Sequence, residues 1–259
     1  NLLEPAKFQN EIDDTRIKSI VENRLKYIPS WKTPGPDQVY NFFIKKIHAL
    51  HGRLIQLIRE AVIDANLIDE DLYIGNTYLI PKTMNAKKAK ELRPITCLPN
   101  LYKLLSKVVS TLLNEFCEVN DVISENQMGT RKGCQGAKQQ ALINKVLNQN
   151  YNNQLYTSWI DIQKAYDSVQ HNYMIQILKR LQVPENIMKF VTKTLNSQRT
   201  NLICSKEQIS QVKIEKGLLQ GDSLSPLLFV MAIEPLSRRL NQCCEKVEIE
   251  GLGRNHLIF

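Results

Sequence analysis

Leu101, Leu104, Leu105, Val108, Val109, Leu112 and Leu113 fall on one face of a single helix. A stripe that apolar has to be covered by other elements of the same chain. Helical spacing recurs over residues 16–28 and 38–64, which are separated by the breaker run Thr33-Pro34-Gly35-Pro36-Asp37. It recurs again at roughly 135–149, at Met174, Ile177, Leu178 and Leu181 ahead of Pro184, and over about 185–196. Between these lie strand-like runs: 76–81 (NTYLIP), 155–162 (LYTSWIDI), and stretches near 199–204 and 210–216. Ser225 and Pro226 offer an N-cap and a first-turn proline for another helix. Pro235 lies inside that helix and should kink it. Residues 255–259 read as the start of a further strand. The class is α+β, with helices packed around an antiparallel sheet.

The charge balance narrows the partners. Thirty-four Lys and Arg stand against 26 Asp and Glu, a net charge of +8. That excess favours a polyanion, because each cation that neutralises a phosphate releases a condensed counterion. The six cysteines form no CxxC pair and have no histidine at zinc-ligand spacing, so reduced thiols in an intracellular protein are expected. No apolar run approaches the roughly 20 residues of a membrane span, and the polar, acidic start is no signal peptide. No membrane partner is expected. Both ends, Asn1 and the apolar run closing at Phe259, read as cuts through a longer protein.

Asp161 closes an otherwise apolar strand, where a carboxylate needs a partner: a metal ion or the turn it caps. Around it the chain reads Asp161-Ile162-Gln163-Lys164-Ala165-Tyr166-Asp167, and later Gly217-Leu218-Leu219-Gln220-Gly221-Asp222-Ser223-Leu224-Ser225-Pro226. Upstream stand Leu79-Ile80-Pro81-Lys82, Leu92-Arg93-Pro94-Ile95, the PGPD run at 34–37 and the QMGTRKG loop at 127–133. In this order the boxes resemble the reverse transcriptase family, and most of all its non-LTR (LINE-type) retrotransposon enzymes. The likeness runs from about residue 23 to the last residue.

The resemblance implies a right-hand polymerase. Residues 1–155 would be an N-terminal extension and fingers, and 156–259 a partial palm with a fingers-like insert at about 185–212 and no thumb. It implies an RNA-directed DNA polymerase that transfers dNMP from a dNTP to a DNA primer 3′-hydroxyl on an RNA template, with two Mg²⁺ ions. Asp161 would be the catalytic metal ligand and Ile162 would add its carbonyl. Asp167 would be a structural partner for a nearby basic group. Tyr166 takes the position of the bulky aromatic that excludes a 2′-hydroxyl, although a core tyrosine is the alternative. Gln220 and Gly221 would line the nucleotide pocket, and Lys82 and Arg93 would grip the triphosphate. Lys87, Lys88 and Lys90 read as a solvated charge run. Arg131 and Lys132 would touch template phosphates, unless they belong to an exposed loop without a ligand.

The family's next box is a hairpin with two adjacent aspartates, introduced by an apolar strand ending in an aromatic; His256-Leu257-Ile258-Phe259 would be that strand, with Phe259 two residues before the aspartate pair. The chain's single Asp-Asp dipeptide, Asp13-Asp14, lies in the polar N-terminal stretch. The fragment alone is therefore expected to be inactive, with its second metal site incomplete. A non-catalytic RNA-binding remnant or domesticated module, a maturase-like enzyme of group II introns and an RNA-dependent RNA polymerase are the competing classes. Action on chromosomal DNA would imply a nuclear protein.

Overall fold

In the computed structural model, residues 3–6, 13–84, 88, 91–129, 133–152, 154–204, 207–249 and 252–258 are described. The chain begins with α1 (Asp14–Tyr27), whose N-cap Asp13 accepts a hydrogen bond from the Thr15 amide at 3.1 Å. The Asp-Asp dipeptide is thus a helix start, where a carboxylate meets unpaired amides and the positive end of the helix dipole. Ile17, Ile20, Val21 and Leu25 are its buried face.

The apolar spacing over 38–64 is split into α2 (Asn41–Lys46), a single 3-10 turn at His48–Leu50 and α3 (His51–Ile63). The His51 ring donates from Nε2 to the Ile44 carbonyl at 3.0 Å, taking the acceptor that a continuous helix would give to the His48 amide.

Next come β1 (Ile74–Pro81), β2 (Leu92–Cys97), α4 (Asn100–Val119), α5 (Ala137–Asn150) and the one-turn α6 (Ala165–Ser168). They are followed by α7 (His171–Arg180), α8 (Glu185–Ser197), β3 (Arg199–Cys204), β4 (Glu207–Lys213), α9 (Ser225–Cys243), β5 (Val247–Ile249) and β6 (Leu252–Arg254). The fold is α+β. One sheet runs in the order β2-β1-β3-β4, antiparallel in its outer pairs and parallel between β1 and β3. A parallel pair needs a long crossover, here the whole stretch carrying α4 to α8. Thr77 sits at the centre of the sheet, its hydroxyl 2.8 Å from that of Thr96 and 2.6 Å from that of Thr200, all three buried. β5 and β6 form a separate hairpin.

α4 is the axis of the core. Leu104, Leu105, Val108, Val109, Leu112 and Leu113 are buried as the sequence requires, and α4 packs against α1 and α3. Tyr102, Ser106 and Ser110, off that stripe, are buried too. The opposite side of the helix therefore meets something polar, described below.

The sheet is thus mixed rather than the antiparallel sheet expected, because β1 and β3 run parallel, and two further expectations fail. The strand expected over 155–162 does not form: residues 154–162 carry no regular structure, and Tyr156, Trp159 and Ile160 are exposed, Ile160 to 89%. A strand exists only where a neighbour takes its amides and carbonyls, and no described strand pairs with this segment. The expected N-cap Ser225 is instead the first residue of α9, its hydroxyl donating to the Leu219 carbonyl at 2.8 Å. The residue at the N-cap is Leu224, which brings no side-chain cap, and Asp222 accepts the Leu224 amide at 3.2 Å in the turn just ahead of the helix. α9 continues through Pro235. At the C-terminal end, Ile258 makes one isolated parallel bridge to Gln127.

The PGPD run has a packing explanation. Pro34 and Gly35 are buried, and a Cβ added to Gly35 would lie 2.4 Å from the Pro99 nitrogen and 2.6 Å from the Leu98 carbonyl carbon. Those are backbone atoms just ahead of α4 and have little room to yield. Gly35→Ala is expected to cost about 2 kcal/mol, lowering the thermal midpoint by several degrees, roughly 2–4 °C per kcal/mol in a domain of this size. An unchanged midpoint would show that the two segments separate freely.

Candidate active site

The site is built where three boxes meet. Beyond the irregular segment that carries Asp161 and Ile162, Lys164 adopts φ 51° and starts α6. α6 is pinned from behind: the Leu218 amide donates to the Tyr166 carbonyl at 3.0 Å and the Gly217 amide to the Val169 carbonyl at 2.8 Å. Gly217, with φ 93°, sits so close that a Cβ there would approach the Asp167 Cα to 2.9 Å. The His171 ring, buried on α7, donates to the Gly217 carbonyl at 2.9 Å. The DIQKAYDSV box and the Gly217-Leu218 pair that leads into the QGDSLSPLLF box, some 50 residues apart in sequence, are therefore hydrogen-bonded neighbours.

The turn after Gly217 reaches the third box. Gly221 has φ 110°, and a Cβ there would lie 2.9 Å from the Thr96 carbonyl oxygen at the end of β2. Only glycine meets both demands, a positive φ and a close backbone approach. Gln220 is exposed at the tip. The Tyr166 ring meets Phe229 of α9 edge-on with centroids 5.1 Å apart, and partial burial pushes its phenol pKa up. Tyr166 is thus half core residue and half surface.

Arg93 and Lys82 stand at the β1–β2 hairpin. Arg93 is exposed on β2 opposite Ile80, and the Lys82 amide closes the hairpin on the Glu91 carbonyl at 2.8 Å. Lys88 is exposed, as expected of a solvated lysine, while Lys87 and Lys90 lie outside the described residues.

Asp161 and Ile162 are exposed to solvent, five and four positions ahead of Tyr166. The apolar strand expected to lead into Asp161 is missing, so the carboxylate is not at a strand end. Asp167 is exposed as well, and no ion pair of it occurs among the described residues. Its contribution is backbone packing against Gly217 rather than pairing with a base. Among the described residues no group of three or more His, Cys, Asp or Glu is gathered as a metal cage. A single carboxylate with a neighbouring carbonyl suits Mg²⁺ only where substrate phosphates and water complete the shell.

Arg131 and Lys132 lie outside the described residues, but the root of their loop is firmly held. Glu234, almost fully buried on α9, accepts from Gln127 Nε2, from the Ser124 amide at 3.1 Å and from Arg238 Nε at 2.9 Å. Arg238 also donates to the Val122 carbonyl at 3.0 Å. The Met128 amide donates to Ile258 and the Ile258 amide to Asn126, each at 2.8 Å, which ties the loop to the last described residues.

Two residues at the site escaped sequence reasoning. Asp222, within the quoted box, is 6% exposed, and burial pushes its carboxyl pKa up. Tyr102, fully buried on α4, donates its hydroxyl to Asp222 Oδ2 at 2.9 Å. An acid set among Leu218, Leu219 and Leu224 was visible in sequence. Its partner, 120 residues away, was not.

Residues 80–259 match the family model described as "Reverse transcriptase (RNA-dependent DNA polymerase)". The chain is 25% identical over 228 residues to "Probable RNA-directed DNA polymerase from transposon BS" of Drosophila melanogaster, covering 87% of this chain and 25% of that protein. It is 25% identical over 210 residues to "Retrovirus-related Pol polyprotein from type-2 retrotransposable element R2DM" of the same organism, covering 80% and 19%. With "RNA-directed DNA polymerase from mobile element jockey", also of Drosophila melanogaster, it shares 27% over 216 residues, covering 81% and 23%. The chain thus spans about a quarter or less of the length of these relatives.

Proposed function

The chain belongs to the reverse transcriptase (RNA-dependent DNA polymerase) family, and on that premise we propose that it is the fingers and part of the palm of an RNA-directed DNA polymerase of the non-LTR retrotransposon type. One observation carries the proposal: the Tyr166 box, the Gln220-Gly221 turn and the Arg93 strand, distant in sequence, are joined by the backbone contacts of Gly217, Leu218 and Gly221. In that arrangement Asp161 and the Ile162 carbonyl would hold a divalent cation, taken to be Mg²⁺. Bound there, the ion supplies charge for the triphosphate and a more acidic primer hydroxyl.

The chain's own groups do the rest. Arg93 offers a planar fork to phosphate oxygens and Lys82 a mobile charge. Gly221 lets the base pair approach bare backbone, and the Gln220 amide can bond the sugar or base. Tyr166 closes the space a 2′-hydroxyl would need. Residues 1–155 form the extension and fingers, and 156–259 the partial palm. The insert at about 185–212 returns to the fingers, consistent with β3 and β4 completing the β1–β2 sheet. Template RNA, DNA primer and dNTPs are the partners, and work on chromosomal DNA makes the nucleus the site of action.

The test is primer extension on an RNA template by the full-length protein, with dNTPs and rNTPs in parallel. dNTP incorporation is expected, and none from the 259-residue chain alone. A protein that binds RNA but extends no primer would be a binding module instead. For the loop 127–133, Arg131→Ala with Lys132→Ala is expected to weaken RNA binding and reduce the slope of log Kd against log salt by about 1–2. An unchanged slope would show that neither side chain meets phosphate.

A further inference from the structure

Gly221 and Gln220 sit on a turn whose position is set from behind by α4, and the link is a buried tyrosine–carboxylate pair that the proposed chemistry does not itself use. Both oxygens of Asp222 are committed: Oδ2 accepts from the Tyr102 hydroxyl at 2.9 Å and Oδ1 from the Leu224 amide at 3.2 Å. Two further bonds fix the same turn. Ser110 of α4 donates to the Ser223 carbonyl at 3.1 Å, and Ser225 donates to the Leu219 carbonyl at 2.8 Å. Tyr102 has no freedom to follow a moving partner: it is fully buried, with the Tyr73 ring against it at 5.7 Å. On the other side, Gly221 rests against the Thr96 carbonyl with no space for even a methyl group. The turn is held between the core helix and the sheet edge, so a small shift at Asp222 is passed to the two residues beside it.

We propose that Tyr102 and Asp222 are positioning residues for the nucleotide pocket, holding the 219–222 turn so that Gln220 and Gly221 present a fixed surface to the incoming dNTP. The inference rests on the polymerase assignment above. A carboxyl buried among leucines without a cation is costly unless its oxygens are hydrogen-bonded. Losing the tyrosine hydroxyl removes the bond that ties Oδ2 to Tyr102 and leaves the carboxylate to Ser106 and the backbone amides of Ser223 and Leu224, which gives the turn reason to move. Asparagine at 222 can keep both links, with its oxygen towards the Leu224 amide and its NH₂ towards the Tyr102 oxygen.

The experiment uses the full-length polymerase and compares Tyr102→Phe, Asp222→Asn and Asp222→Ala. Tyr102→Phe and Asp222→Ala are expected to raise the dNTP KM about tenfold, with kcat and the primer–template Kd within about twofold of wild type. Asp222→Asn is expected to keep the wild-type KM. A pair that only stabilises the fold would lower the thermal midpoint and leave KM alone, and that result in Tyr102→Phe overturns the proposal. A wild-type protein that extends no primer contradicts the polymerase assignment instead. Amide exchange over residues 219–224 then reads the pair directly: faster exchange in Tyr102→Phe supports the link, and equal exchange overturns it.

Discussion

Asp161→Asn in the full-length protein is expected to lower dNTP incorporation by about a thousandfold, roughly 4 kcal/mol of transition-state stabilisation, while leaving the thermal midpoint where it was. The combination is what makes the result informative. Asp161 is exposed, makes no ion pair among the described residues and belongs to no regular element. An exposed substitution of this kind usually changes stability by within about 0.5 kcal/mol. Asparagine keeps the shape and removes the charge, so a cation held there loses its anionic ligand and nothing else is disturbed. Primer–template affinity, set by phosphate contacts elsewhere, should change by less than about threefold. A modest loss of rate, or one matched by a loss of stability, would return Asp161 to the role of an ordinary surface residue.

Tyr166→Val is the second large effect, and its readout is sugar discrimination rather than rate. The ring is half-buried against Phe229, so the side chain is anchored at one edge while the rest faces outward. A ring held in that way excludes by bulk. Replacing it with valine is expected to raise the relative use of rNTPs about a hundredfold, in the range that a hydrophobic pocket achieves by volume, with dNTP turnover reduced far less. Tyr166→Phe keeps the bulk and the contact with Phe229 and should discriminate as wild type does. If Tyr166→Val rejects rNTPs as well as the parent protein, Tyr166 is a core residue and the exclusion lies elsewhere. Equal loss with both nucleotides would point to a disturbed α6 instead.

How far the amino-acid order foretells this molecule depends on whether the cause is local. α4 is visible because seven apolar positions repeat at helical spacing, and six of them are buried. α7 and α8 are visible for the same reason: Met174, Ile177, Leu178, Phe190 and Val191 report the face they turn inward. The misses are matters of partners. Residues 155–162 have the composition of a strand, but composition does not supply the neighbouring backbone that pairing needs. The split between α2 and α3 depends on where the His51 ring points. Ser225 and Asp222 both have capping chemistry, and only the fold decides which oxygen faces the Leu224 amide. The order of the boxes marked candidate site residues, whereas the contacts of Gly217 and Gly221 that bring the boxes together, and the Tyr102 hydroxyl behind them, are tertiary facts.

The most direct test of the shared pocket is iron-mediated cleavage. Fe²⁺ replaces Mg²⁺ in the full-length protein, ascorbate and peroxide generate hydroxyl radical at the bound ion, and the cut sites are read by mass spectrometry. The polymerase assignment predicts cuts clustered at residues 161–162 and 220–221, suppressed by excess Mg²⁺ with dNTP and absent in Asp161→Asn. Cuts confined to other parts of the chain, or a pattern unchanged in Asp161→Asn, would contradict it.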